Sequence, residues 1–158
     1  MAVNKNWPRW IFASISQHFM DQRQGLDMYI EGQHRATRDL KDFLELRMDG
    51  PYITEVSHNY FRLYIEVNVL VQSTKDQSSY HRIHANVGIA AAAFWNGIKV
   101  FKYGNGVDDD DSYLGCLQLV TDARGKERIQ ISHFGQIEPK TRVMQATVEA
   151  HYEMFLQP

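Results

Sequence analysis

Between Tyr60 and Gln72 an apolar residue recurs at every second position. Phe61, Leu63, Ile65, Val67, Val69 and Val71 take every odd position, and Arg62, Tyr64, Glu66, Asn68 and Gln72 take the even ones, with Leu70 the exception. A two-residue period sustained over this length, in β-favouring residue types, leaves no room for a helix and demands a long strand with one face in a core. The other face mixes aromatics, amides and single charges, and it has to meet water or a partner.

A second long strand is predicted from Arg142 to Leu156. Here Met144, Ala146, Val148, Ala150, Tyr152, Met154 and Leu156 alternate with Gln145, Thr147, Glu149, His151 and Glu153. Shorter extended segments are read at Leu26 to Ile30, at Phe43 to Met48, and at Ile98 to Tyr103, Leu114 to Val120 and Arg128 to Ile137. In the second of these, Leu44, Leu46 and Met48 share a face, and Asp49-Gly50-Pro51 reads as a turn that ends the strand. Two helices are expected. One spans about residues 8–24, started by Pro8 and stopped at Gly25, with Ile11, Ile15 and Phe19 in a stripe and Phe12 beside them. The other runs from Ser78 or Ser79 to Asn96-Gly97, with Ile83, Val87, Ala90 or Ala91, and Phe94 inward. Short loops between long strands imply antiparallel pairing. The predicted fold is α+β: an antiparallel sheet of about six strands with two helices packed on its apolar face, in one domain over 1–158, the sheet and second helix occupying 26–156.

Composition narrows the function classes. Lys and Arg number 17 against 19 Asp and Glu, so no polybasic footprint marks a nucleic-acid or anionic-membrane binder. The single cysteine, Cys116, excludes an internal disulfide framework and points to a reducing compartment. No apolar run approaches the ~20 residues of a bilayer span, and the first ten residues lack a signal peptide's apolar core. No membrane association is expected, and synthesis is expected in the cytoplasm.

Chemical motifs are sparse. Asp108, Asp109, Asp110 and Asp111 are adjacent, and neighbouring carboxylates point apart rather than converging on a cation, so an acidic loop facing solvent or a partner is expected. His81 and His84 stand three apart at the start of a helix, a spacing that can present both to one metal, but no third ligand follows in sequence. His133 and His151 lie on strands and could face each other. Cys116 sits in an apolar strand, where a buried inert thiol is the default, and no G-x-S-x-G elbow exposes a serine. Gly104-Asn105-Gly106 leads into aspartates rather than a helix N-terminus, which is wrong for phosphate. These residues support neither an enzyme nor a bound cofactor.

What the chain has in excess is surface suited to contact. The candidate interface residues are Trp7 and Trp10 at the first helix, Arg47, Arg62, Tyr64, Glu66, Gln145 and Glu149 on polar strand faces, and Asp108 to Asp111. With this order of elements in place, the segments Glu45-Leu46-Arg47-Met48-Asp49-Gly50-Pro51, Tyr64 to Val71, Asn96-Gly97-Ile98-Lys99-Val100 and Phe134-Gly135-Gln136-Ile137 resemble the tail terminator and related neck proteins of tailed bacteriophages over most of residues 8–156. The resemblance implies a small α+β virion subunit, assembled in the host cytoplasm as a homo-oligomeric ring, commonly of six copies. Such a ring ends the tail tube, joins it to the head connector and leaves a channel for DNA, which passes without sequence-specific binding. The alternatives are a tail-tube or head-closure subunit or, in a different class, a small metal-dependent or ligand-binding enzyme using Asp108 to Asp111 with His81 or His84.

Overall fold

The computed structural model describes residues 5–31, 42–74, 79–102, 113–120, 129–136 and 143–156. The first helix, α1 (Trp7–Gln22), buries Ile11, Ile15 and Phe19 as their spacing of four requires. Phe12 is 45% exposed, because one residue beyond Ile11 the helix has turned by about 100° and points out of the stripe. Trp7 is 6% exposed and packs edge-on against Trp10, so of the two tryptophans it is the one the core takes in; Trp10 is half-buried. Gly25, at φ 82°, turns the chain out of the helix toward β1 (Asp27–Ile30).

β1 pairs parallel with β2 (Phe43–Ser57), Met28 opposite Leu44 and Ile30 opposite Leu46. The sheet is therefore mixed, not purely antiparallel as predicted. The reason lies in the connection: residues 31–42 are long enough for a crossover, whereas the other strand links that prompted the expectation are tighter. Asp49-Gly50-Pro51 is also not a terminal turn. β2 continues through it with a register shift between Asp49 and Tyr52, and Gly50 adopts φ 112°. A Cβ there would lie 3.1 Å from both Tyr52 N and Tyr64 O, so glycine is what lets the strand bulge and go on. The true reversal is His58-Asn59, with Asn59 at φ 57° in the left-handed region that asparagine tolerates, and it leads into β3 (Tyr60–Thr74).

After α2 (Ser79–Trp95) come β4 (Ile98–Phe101), β5 (Tyr113–Val120), β6 (Ile129–Gln136) and β7 (Val143–Leu156). The seven strands form one curled sheet in the order β1-β2-β3-β7-β5-β4, with β6 also on β7. β7 organises it. One edge takes β3 along its whole length, from Thr74 opposite Val143 to Phe61 opposite Leu156. The other edge takes β6 over Met144–Ala150 and then β5 over His151–Glu153.

Both helices lie on the same face of this sheet, α2 over β3 and β7 and α1 over β4 and β2. Leu63, Ile65, Val67, Val69 and Val71 of β3 meet Ala146, Val148, Ala150 and Tyr152 of β7 in the core beneath them, as the alternation requires, with Phe61 at the margin. Tyr152 is wholly buried; its Oη donates to the Phe94 carbonyl at 2.7 Å, while Phe19 packs edge-on against Phe94. The His18 Nε2 lies 2.7 Å from the Ala93 carbonyl. Two carbonyls that the end of α2 cannot satisfy internally are thus taken up by β7 and α1.

A polar cluster ties the other end of α2 to the sheet. Asn86 donates from Nδ2 to Asp42 Oδ2 (3.0 Å) and to Ser73 Oγ (2.8 Å), and Arg82 Nε lies 2.7 Å from Asp42 Oδ2. Asp42 Oδ1 accepts from the Thr74 N–H (2.9 Å) and from the Thr74 hydroxyl (3.1 Å). Burial works to raise the Asp42 pKa, but the Thr74 and Asn86 hydrogen bonds and the Arg82 charge outweigh it, so the carboxyl sits below its ordinary value.

Candidate interface on the open face of the sheet

Because side chains alternate across a strand, the residues excluded from the core come together on the face without helices. The pairing aligns them in rows. Arg62 is flanked by Thr54 and Phe155, Tyr64 by Tyr52 and Glu153, Glu66 by Asp49 and His151, Asn68 by Arg47 and Glu149, and Gln72 by Phe43 and Gln145. The structure thus gathers Arg47, Arg62, Tyr64, Glu66, Gln145 and Glu149, six of the candidates, on one surface. Trp7 and Trp10 are on α1, away from it. Asp108, Asp109, Asp110 and Asp111 lie outside the described residues.

The rows are cross-linked by polar contacts. Arg62 Nε donates to Glu153 Oε2 at 2.8 Å, and its guanidinium lies 5.1 Å from the Tyr64 ring centre. Tyr64 Oη and His151 Nδ1 are hydrogen-bonded to each other; Glu149 Oε1 lies 3.8 Å from His151 Nε2, and Glu66 Oε1 lies 3.6 Å from Nδ1. Gln145 Nε2 donates to Gln72 Oε1 at 3.1 Å, and Arg47 Nε to Glu45 Oε1 at 3.1 Å. Glu45 and Leu70 face the same way as these residues and are nevertheless buried, which explains how the apolar Leu70 interrupts the polar register: the two stand opposite each other near the covered end of β2.

A groove of about 410 Å³ crosses the middle of the face, lined by Glu31, Arg47, Met48, Asp49, Glu66, Asn68 and Glu149. It holds four carboxylates against one guanidinium, and that guanidinium is already engaged with Glu45. The surface is therefore acidic although the chain as a whole is nearly neutral. Sequence reasoning missed Glu31, Asp49 and Glu153 here. Their signal was register: Asp49 falls opposite Glu66, and Glu153 shares the parity of Glu149 on the same strand.

The histidines do not pair as expected. His133 is on the helix side of the sheet and lies against His84 with ring centres 4.8 Å apart and the ring planes tilted by 59°, whereas His151 is on the open side. Among the described residues no three His, Cys, Asp or Glu side chains are placed to hold a metal ion. Cys116 is half-buried rather than fully buried, and burial pushes its thiol pKa up against the opposing charge of Lys99. Among the described residues, no helix is long and apolar enough to cross a membrane. Compared with protein-family models and with curated proteins, the chain matches none.

Proposed function

We propose that the chain is a structural subunit of a tailed-phage virion, a tail terminator or neck protein. In this reading it forms a ring that caps the tail tube and joins it to the head connector. The observation that carries the reading is the open acidic face: a broad sheet surface with no helix over it among the described residues, set with tyrosine, arginine and an excess of carboxylates. Carboxylates repel a phosphate backbone, so such a face suits a wall that DNA slides past without being gripped, whereas a binding groove would be basic. The same surface's tyrosines and arginines are residue types favoured as interface anchors. In this reading the protein's work is assembly rather than catalysis.

Electron microscopy of the purified protein, combined with antibody labelling of virions, tests the proposal. Closed rings in solution and label at the head-proximal end of the tail are expected. Open-ended tubes would move the assignment to a tail-tube subunit. A monodisperse monomer at high concentration, with no label on particles, would overturn it.

A further inference from the structure

Apart from its faces, the sheet has edges, and these differ in length. β1 and β4 end the strand order but are only four residues each, and neither carries a strongly exposed large apolar side chain. Two longer edges are unpaired among the described residues. β1 covers β2 only from Phe43 to Leu46, so the outer edge of β2 from Arg47 to Ser57 has no neighbouring strand. Likewise β6 pairs with β7 on one side only. Both edges carry apolar groups in the open: Tyr52 (50% exposed), Ile53 and Val56 on the β2 arm, and Ile131 and Phe134 (59%) on β6.

An unpaired edge presents a ladder of N–H and C=O groups that only another strand satisfies fully, and natural proteins blunt such edges when they are not meant to pair. Here the blunting is partial and local. Pro51 and the register shift between Asp49 and Tyr52 break the arm on one side, and the shift between Glu55 and Ser57 breaks it on the other. That leaves Tyr52–Glu55 regular. In β6 the shift between His133 and Gly135 leaves Ile129–His133 regular. The two short regular stretches, one from Tyr52 to Glu55 and the other from Ile129 to His133, differ in charge. Residues 49–59 hold two carboxylates, Asp49 and Glu55, and no Lys or Arg, whereas β6 holds no carboxylate and carries His133 beside His84.

We infer that the β2 arm of one copy adds as a strand to the β6 edge of the next copy, through Tyr52–Glu55 and Ile129–His133, so that the sheets of neighbouring subunits run on into one another. Two unlike patches meeting head to tail form a ring when the rotation closes. The charge difference favours this pairing over arm against arm, which would bring together two segments that each carry Asp49 and Glu55 and no Lys or Arg. The inference rests on the ring reading only in taking a second copy of the chain as the partner.

Cysteine scanning in a Cys116→Ala background tests it. Chains carrying one cysteine at Tyr52, Ile53, Thr54 or Glu55 are mixed with chains carrying one at Gln130, Ile131 or Ser132 and then oxidised. A disulfide needs Cα atoms roughly 4.4–6.8 Å apart, so only facing positions should join. Cross-linked dimers are expected in selected mixtures and in neither component alone, and a double-cysteine chain should give a ladder of oligomers. Glu55→Lys should weaken self-association in sedimentation velocity by about tenfold or more, with circular dichroism unchanged. If the wild type forms rings but no arm and β6 pair cross-links, or if arm cross-links to arm equally well, the edge pairing is wrong while the ring reading stands. If the wild type does not associate and is absent from particles, both fall.

Discussion

Replacing Tyr152 with Phe removes one oxygen and leaves the packing volume almost unchanged, so it isolates a single hydrogen bond in the middle of the core. The Tyr152 Oη donates to the Phe94 carbonyl at 2.7 Å, and this carbonyl belongs to the penultimate residue of α2, where no later helical N–H reaches it. Burial pushes the phenol pKa far up, so the group stays a neutral donor at any ordinary pH. The substitution loses the bond and strands a buried carbonyl, which together cost about 1–3 kcal/mol. For a domain of this size about 2–4 °C accompanies each kcal/mol, so the melting temperature should fall by roughly 2–12 °C. Urea titration followed by circular dichroism measures the change, and an unchanged slope confirms that the native state is intact. Tyr64→Phe is the internal control. That hydroxyl also has a protein partner, His151, but water reaches its face, and the change should stay within about 0.5 kcal/mol. If Tyr152→Phe shifts the midpoint no more than Tyr64→Phe, the pinning of α2 by β7 is not a stabilising contact and the reasoning fails.

Other consequences can be checked more briefly. Ile65→Ala, at a position 1% exposed beneath α2, should cost about 2–5 kcal/mol in the same titration. Gly97→Ala should destabilise, since the new Cβ would meet Cys116 Sγ at 2.6 Å; adding Cys116→Ala should recover part of the loss. The folded Asp42 pKa lies below its unfolded value, so its contribution is complete above about pH 4 and is lost as pH falls through the folded value. Acid titration of Asp42→Asn should therefore show a lower stability at neutral pH and a shallower decline below pH 4. If Asp108, Asp109, Asp110 and Asp111 form the exposed acidic loop expected from sequence, changing them together to Asn should leave the melting curve nearly unchanged, because exposed charges contribute little, while impairing ring formation or infectivity. Unfolding of that variant, or normal assembly and titre, would contradict the role proposed for these residues.

Strand existence and facing were legible because alternation survives translation into structure without outside help: β3 and β7 each bury the side that their residue types announce. Pairing was not legible to the same degree. Nothing in Asp27–Ile30 distinguishes a parallel neighbour from an antiparallel one, since that depends on the route taken by the intervening chain. Asp49-Gly50-Pro51 misled because the same residues that make turns also make bulges, and only the continuation through Tyr52 to Ser57, whose side chains are largely exposed and so lack a clear inside and outside, tells them apart. The candidate surface was half legible for a related reason. Its members on β3 and β7 follow from parity on one strand, whereas Glu31 and Asp49 join them only through register between strands. Which of Trp7 and Trp10 the core takes in was not legible, because a large aromatic at a helix start suits either a core or a partner.

The position of β7 has a consequence for how the chain reaches this state. The strand that holds β3 on one side and β5 and β6 on the other is the last of the described strands in chain order. Until it arrives, β3 lacks its longest partner, β6 has none among the described strands, and Phe94 has no phenol beneath it. The contacts that complete the sheet join residues about ninety positions apart, such as Arg62 with Phe155. Such distant closures slow folding and lengthen the time during which apolar strands stand uncovered. A growing chain thus carries β3 and β6 as open templates, and the native sheet can form only once β7 enters between edges that were made before it.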